Sequence, residues 1–124
     1  MNGINILIVE DEEIVALDMT LMLEKHGYCV IDTVSSGEDA IVKIEEKTPD
    51  LVLMDIKLKG KYDGIETARI ISEQYHIPVV FVSAYSDEKT LEQAGKLDPA
   101  GYLRKPVNFD ELKSVVQNLL SKEN

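Results

Sequence analysis

The sequence predicts an α/β layered fold built on a parallel sheet. Two observations carry this. Short runs such as "INILIV", "LVLM" and "VVFV" are apolar throughout, as strands covered on both faces require. Between them lie longer amphipathic stretches, and strict alternation of strand and helix calls for crossovers between parallel strands. The chain of 124 residues fits one compact domain, residues 1–124.

The elements follow in order. Residues 4–9 are too short and too β-branched for a helix and read as the first strand. A helix from Glu12 to about His26 carries Ile14, Leu17 and Leu21 at helical spacing as its apolar face, and Gly27 stops it. Residues 28–34 are a second strand. Ser36 followed by Asp39 opens a helix bearing Ala40, Ile41 and Ile44, which Thr48-Pro49 ends. The third strand, "LVLM", runs into Asp55. A helix from Gly64 to about Tyr75 carries Ile65, Ala68 and Ile71. Pro78 opens the fourth strand, residues 87–94 form a polar helix, and residues 100–103 are a fifth strand. Asn108 and Glu111 cap a last helix, whose Leu112, Val115, Val116, Leu119 and Leu120 give the cleanest helical pattern in the chain.

Charge narrows the function. Lys+Arg number 13 against Asp+Glu 23, a formal net charge of -10. This argues against direct nucleic-acid binding, which needs a basic patch, and against docking on an anionic membrane. It suits a domain that holds a cation or docks on a basic partner. No signal peptide and no apolar run of about 20 residues is present, so a cytoplasmic protein is expected. The lone Cys29 lies in "YCVIDTV" and is expected to be a small core hydrophobe.

In a parallel α/β sheet, ligands bind beyond the carboxyl ends of the strands. Glu10 and Asp11 follow the first strand, Asp55 ends the third, Ser83 the fourth, and Lys105 follows the fifth. Singly, each has an ordinary explanation: an acidic helix start, a turn serine, a surface lysine. Jointly at one rim they are improbable as accidents. Crowded carboxylates repel one another, and a hard divalent cation such as Mg²⁺ relieves this. With a lysine for an oxyanion and a hydroxyl donor, the set makes a phosphoryl-transfer site in which a carboxylate can be the nucleophile.

The segments "ILIVEDE", "LVLMDI", "DGIE", "PVVFVSA" and "GYLRKP" together resemble the receiver domain of two-component response regulators, over essentially the whole chain. The resemblance implies a doubly wound, flavodoxin-like (βα)5 fold with strand order 2-1-3-4-5. It implies that Asp55 accepts a phosphoryl group from a sensor histidine kinase or a phosphotransfer protein. It implies Mg²⁺, or another divalent cation such as Mn²⁺, bound by Asp11, Asp55 and the Lys57 backbone carbonyl, with Glu10 acting through water. Ser83 and Lys105 would meet the phosphoryl oxygens, Tyr102 would be the aromatic switch, and the Lys105–Pro106 bond would be cis. Such a domain is a signalling switch that catalyses only its own phosphoryl transfer and dephosphorylation. Its output would leave through the face of helix four, strand five and helix five, toward a downstream protein or an output domain of its own. A dimer that forms on phosphorylation would use the same face. Nothing follows Asn124 here, so a stand-alone regulator and an excised receiver both fit.

The sequence departs from the common pattern at Lys59, where the family usually has proline, and the path to Asp63-Gly64 is one residue longer. Glu10 replaces the commoner Asp, and Ser83 the commoner Thr. A haloacid-dehalogenase-type phosphatase would need a D-x-D pattern, and Ile56-Lys57 after Asp55 breaks it. An interaction module that takes no phosphate would lack the acceptor, an acid or the lysine, and all are present. His26 and His76 read as surface residues. The turn after the first strand holds two carboxylates in place of the glycines that cradle a cofactor phosphate.

Overall fold

The structure is a computed structural model that describes residues 3–58, 60, 62–84 and 88–123, the side chains of 88–90 and 120–123 excepted. Five parallel strands form one sheet: β1 (Asn5–Val9), β2 (Cys29–Val34), β3 (Leu51–Asp55), β4 (Val79–Ser83) and β5 (Gly101–Arg104). Their order is β2-β1-β3-β4-β5, as the resemblance implies. The intervening helices are α1 (Glu13–Lys25), α2 (Gly37–Glu46), α3 (Gly64–Ile70), α4 (Glu88–Gly95) and α5 (Phe109–Glu123).

Alternation along each central strand builds the two layers. Ile6, Ile8, Leu51, Leu53, Val80, Val82 and Leu103 face a core closed by Ala16, Met19 and Leu23 of α1 and Leu112 and Val116 of α5. Leu7, Val9, Val52, Met54, Val79 and Phe81 face the opposite core, closed by Ala40 and Ile44 of α2, Ala68 of α3 and Ala94 of α4. Two-face burial therefore holds for β1, β3 and β4. The edge strand β2 is half-buried at best, and Cys29 at its start is exposed, contrary to its expected place in the core.

The caps follow the sequence. Ser36 Oγ accepts from Asp39 N–H at 3.1 Å, and Asn108 Oδ1 accepts from Asp110 N–H at 2.8 Å and Glu111 N–H at 3.3 Å. Gly27, at φ 90°, takes the left-handed turn that ends α1.

Two further expectations need correction. The apolar face of α1 was assigned to Ile14, Leu17 and Leu21, which are 84%, 58% and 59% exposed. This helix is apolar nearly all round, and the sheet takes the stripe of Ala16, Met19 and Leu23. The helix expected to reach Tyr75 is α-helical only to Ile70. A π-helical turn, Ile71–Tyr75, continues it and ends at His76 with φ 55°. His26 is exposed, as expected, and its ring stacks on Phe109 at 3.5 Å between centroids. Lys59, residue 87 and the Leu120 side chain lie outside the described residues. Among those described, no helix is long and apolar enough to cross a membrane.

Candidate functional site

The parallel register sets the rim. Val9 lies opposite Met54, Asp55 opposite Val82 and Ser83 opposite Arg104, so these strands end within about one residue of each other. Each chain that leaves the rim drops a polar side chain into the same cleft. Asp11, Glu12, Asp55, Lys57, Ser83, Ala84 and Lys105 line it, in a volume of about 470 Å³.

Asp55 is 6% exposed and Glu10 3%. Oxygens of Glu10, Asp11 and Asp55 all lie within 4.8 Å of one another. Lys105 reaches in from the loop after β5. Its Nζ is 2.6 Å from Glu10 Oε1 and 3.3 Å from Asp55 Oδ2, and its backbone N–H donates to the Ser83 carbonyl at 3.1 Å. The Lys105–Glu10 contact is an ion pair without directed hydrogen-bond geometry at Oε1, which is otherwise buried. Two backbone donors also serve the carboxylates: Glu12 N–H to Glu10 Oε2 at 3.1 Å, and Lys57 N–H to Asp55 Oδ1 at 3.2 Å.

Burial dominates the electrostatics of the two inner acids. It pushes the Asp55 carboxyl above its ordinary range, and the Lys105 ammonium and the Lys57 N–H only partly offset this. It likewise pushes Glu10 up, with the Asp55 charge adding to the rise and Lys105 opposing it. Burial alone would lower the Lys105 ammonium, but Glu10 and Asp55 more than compensate, and its pKa is raised.

One ammonium among three carboxylates leaves the cluster short of positive charge. The donor set is all oxygen and carries negative charge, which suits a hard divalent cation over a soft metal. The residues present therefore fit Mg²⁺.

The structure thus brings Glu10, Asp11, Asp55, Ser83 and Lys105 to one place, and the Lys105–Pro106 bond is cis. Tyr102 is half-buried on β5, packed against the core that Ala94 of α4 also joins, and is not among the cleft-lining residues named above. Two further residues shape the site: Glu12 lines the cleft, and Gly64 sets the start of α3. A Cβ on Gly64 would lie 1.9 Å from the Asp55 carbonyl oxygen and 2.7 Å from Ile56 Cα. Only a residue without a side chain lets α3 start against the backbone that carries Asp55, while Gly64 N–H donates to the Ile56 carbonyl at 2.9 Å. The signal was present in "DGIE".

The sequence profile of the response regulator receiver domain matches residues 6–117. The chain belongs to the response regulator receiver domain family. Among curated proteins, this receiver is 32% identical over 117 residues to the transcriptional regulatory protein PdtaR of Mycobacterium tuberculosis, covering 94% of the chain and 57% of PdtaR. It is 34% identical to the alkaline phosphatase synthesis transcriptional regulatory protein PhoP of Bacillus subtilis, covering 93% of the chain and 48% of PhoP. The receiver thus spans about half the length of these relatives. Among solved structures, the signal receiver domain of a modulated diguanylate cyclase from Desulfovibrio desulfuricans superposes with a TM-score of 0.92 at 34% identity, over 98% of this chain and 96% of that one. The BeF3-activated receiver domain of RstA from Klebsiella pneumoniae superposes with a TM-score of 0.82 at 27% identity, over 91% of this chain and 95% of that one. As a receiver, the chain is a signalling domain of two-component systems, where receivers partner with histidine kinases and output domains.

Proposed function

We propose that Asp55 is the phosphoacceptor of this receiver and that residues 1–124 act as one phosphorylation switch. The observation that carries the reading is the buried Asp55 carboxylate held 3.3 Å from Lys105 Nζ beside two further acids. An Asp55 oxygen attacks the phosphorus of a phosphohistidine on the donor. The new O–P bond forms as the N–P bond breaks, and the imidazole leaves with the electron pair. Asp11, Asp55 and the Lys57 carbonyl would hold Mg²⁺, or Mn²⁺ in its place, with Glu10 bound through water. When bound, the cation neutralises charge on the carboxylates and the phosphoryl oxygens. Lys105 exchanges its carboxylate contacts for a phosphoryl oxygen, and the Ser83 hydroxyl donates to another. The domain acts on no other substrate: it takes the phosphoryl group and later loses it to water.

The donor must approach across the rim, and α1 starts there. Its exposed Ile14 and Leu17, flanked by Glu13 and Asp18, fit a helical phosphodonor with an apolar stripe and basic flanks. The output side is the face of α4, β5 and α5, where a downstream protein, an output domain or a second phosphorylated copy would dock. Ala94 is the one buried side chain among those described on α4, so this helix is lightly held and easily shifted. Tyr102, packed against the core that Ala94 joins, would turn inward as Ser83 engages the phosphoryl group.

Acetyl phosphate tests the reading. With Mg²⁺ the protein should gain one phosphoryl group by intact mass, and chelation should abolish the gain. Equal labelling in the presence of a chelator would remove the metal from the mechanism.

A further inference from the structure

The connection from β3 to α3 is one residue longer than the common pattern, and it begins at Ile56, with Lys57 next, beside Asp55. Its two ends are fixed to the sheet and to α3. Lys57 N–H donates to Asp55 Oδ1, and Gly64 N–H donates to the Ile56 carbonyl. At Gly60 and Tyr62 it meets another element. Glu38, in the first turn of α2, accepts from Tyr62 N–H through Oε1 at 3.3 Å. Gly60 sits against the same carboxylate. A Cβ there would lie 3.2 Å from Glu38 Oε2, and its φ of 109° suits only glycine.

Glu38 is itself on a firm mount. A Cβ on the preceding Gly37 would lie 2.0 Å from Thr67 Oγ1, so the start of α2 is pressed against α3. Thr67 is fully buried and anchored, its Oγ1 donating to the Asp63 carbonyl at 2.8 Å. The backbone that carries Glu38 is therefore fixed relative to α3.

We infer that Glu38 is a positioning residue for the metal site, an anchor on α2 that holds the longer β3–α3 loop and so keeps Lys57 in place at Asp55. This rests on the proposed metal-bound phosphoacceptor site. Glu38 acts through its acceptor oxygen on the loop and is not among the residues that line the Asp55 cleft. Loss of that oxygen removes the tie at Tyr62, and the Lys57 backbone, whose N–H donates to Asp55 Oδ1, is then held less firmly beside the carboxylates. Metal affinity should fall while the carboxylates themselves stay in place.

The test is a titration of the unphosphorylated protein with Mg²⁺ alone, followed by amide NMR, on wild type, Glu38→Ala and Glu38→Gln. In Glu38→Ala the Tyr62 amide should exchange faster with solvent, and the Mg²⁺ dissociation constant should rise by about tenfold, the low end for a partner outside the ligand set. Glu38→Gln keeps an acceptor oxygen and should restore most of the affinity. An unchanged dissociation constant in Glu38→Ala would overturn the inference. So would a Gln variant as weak as the Ala variant, because charge and not the acceptor would then matter. If wild type itself bound no Mg²⁺, the metal-site reading would fail first, and the Tyr62 exchange rates would still show whether Glu38 holds the loop.

Discussion

Lys105 Nζ lies 2.6 Å from Glu10 Oε1 and 3.3 Å from Asp55 Oδ2, so one ammonium bridges two buried carboxylates at the ends of β1 and β3. The lysine holds together, before any cation or phosphate arrives, a cluster that would otherwise repel itself. Its removal and the removal of the acid it faces have opposite consequences.

Lys105→Ala leaves Glu10 and Asp55 buried without their cation. Breaking such a pair costs about 3 kcal/mol, less where water can enter. The variant should unfold at lower urea concentration without metal, and millimolar Mg²⁺ should recover part of the loss. It should still bind Mg²⁺ but show no phosphorylation-dependent shift at Ser83 and Tyr102 by NMR. A normal response would make Lys105 a structural charge only.

Asp55→Asn should stabilise the metal-free protein at neutral pH. Asp55 and Glu10 rest above their ordinary values of 3.8 and 4.5, because burial outweighs the help from Lys105. A carboxyl raised on folding binds its proton more tightly in the folded chain, so it opposes folding as pH climbs from the ordinary value through the raised one. The asparagine variant escapes that opposition. Its Tm should exceed that of wild type at pH 7, with the gap closing as pH falls toward 3.8. A lower Tm at pH 7 would mean that the pair with Lys105 is net stabilising.

Gly64→Ala should be costly although glycine begins a helix there. The added methyl meets the Asp55 carbonyl at 1.9 Å, and the backbone that carries the nucleophile must move. A loss of about 2 kcal/mol in denaturant unfolding is expected for overpacking at such a contact. Labelling by acetyl phosphate should slow as well. Unimpaired stability would show that α3 can shift away freely.

The rim of this site was legible in the sequence because strand ends are legible. Five apolar runs place Glu10, Asp55, Ser83 and Lys105, and parallel pairing does the rest. The face of α1 was not legible. Ile14, Leu17 and Leu21 keep helical spacing, but so do Ala16, Met19 and Leu23, and periodicity cannot choose between two apolar stripes on one helix. Cys29 misled because an edge strand needs less burial than a central one. The π-helical turn at Ile71–Tyr75 and the reach of Glu38 to Tyr62 depend on tertiary packing, which leaves no local trace.

The exposed α1 stripe should matter to the donor and not to the fold. Ile14→Ser and Leu17→Ser should change stability by only about 0.5 kcal/mol, as exposed positions do. Labelling by acetyl phosphate should be unchanged. Transfer from a phosphorylated histidine phosphotransfer domain should slow by about tenfold, the loss of one apolar anchor. Equal transfer rates would place the donor on another face.

The most direct test of the whole account is to map the phosphoryl group. Wild type is labelled with acetyl phosphate and Mg²⁺, then treated with borohydride, which reduces an aspartyl phosphate to homoserine. Peptide mass spectrometry should find homoserine at position 55 and nowhere else, and none in Asp55→Asn. Homoserine at Asp11 or Asp63, or undiminished labelling of Asp55→Asn, would contradict the assignment of Asp55 as the acceptor.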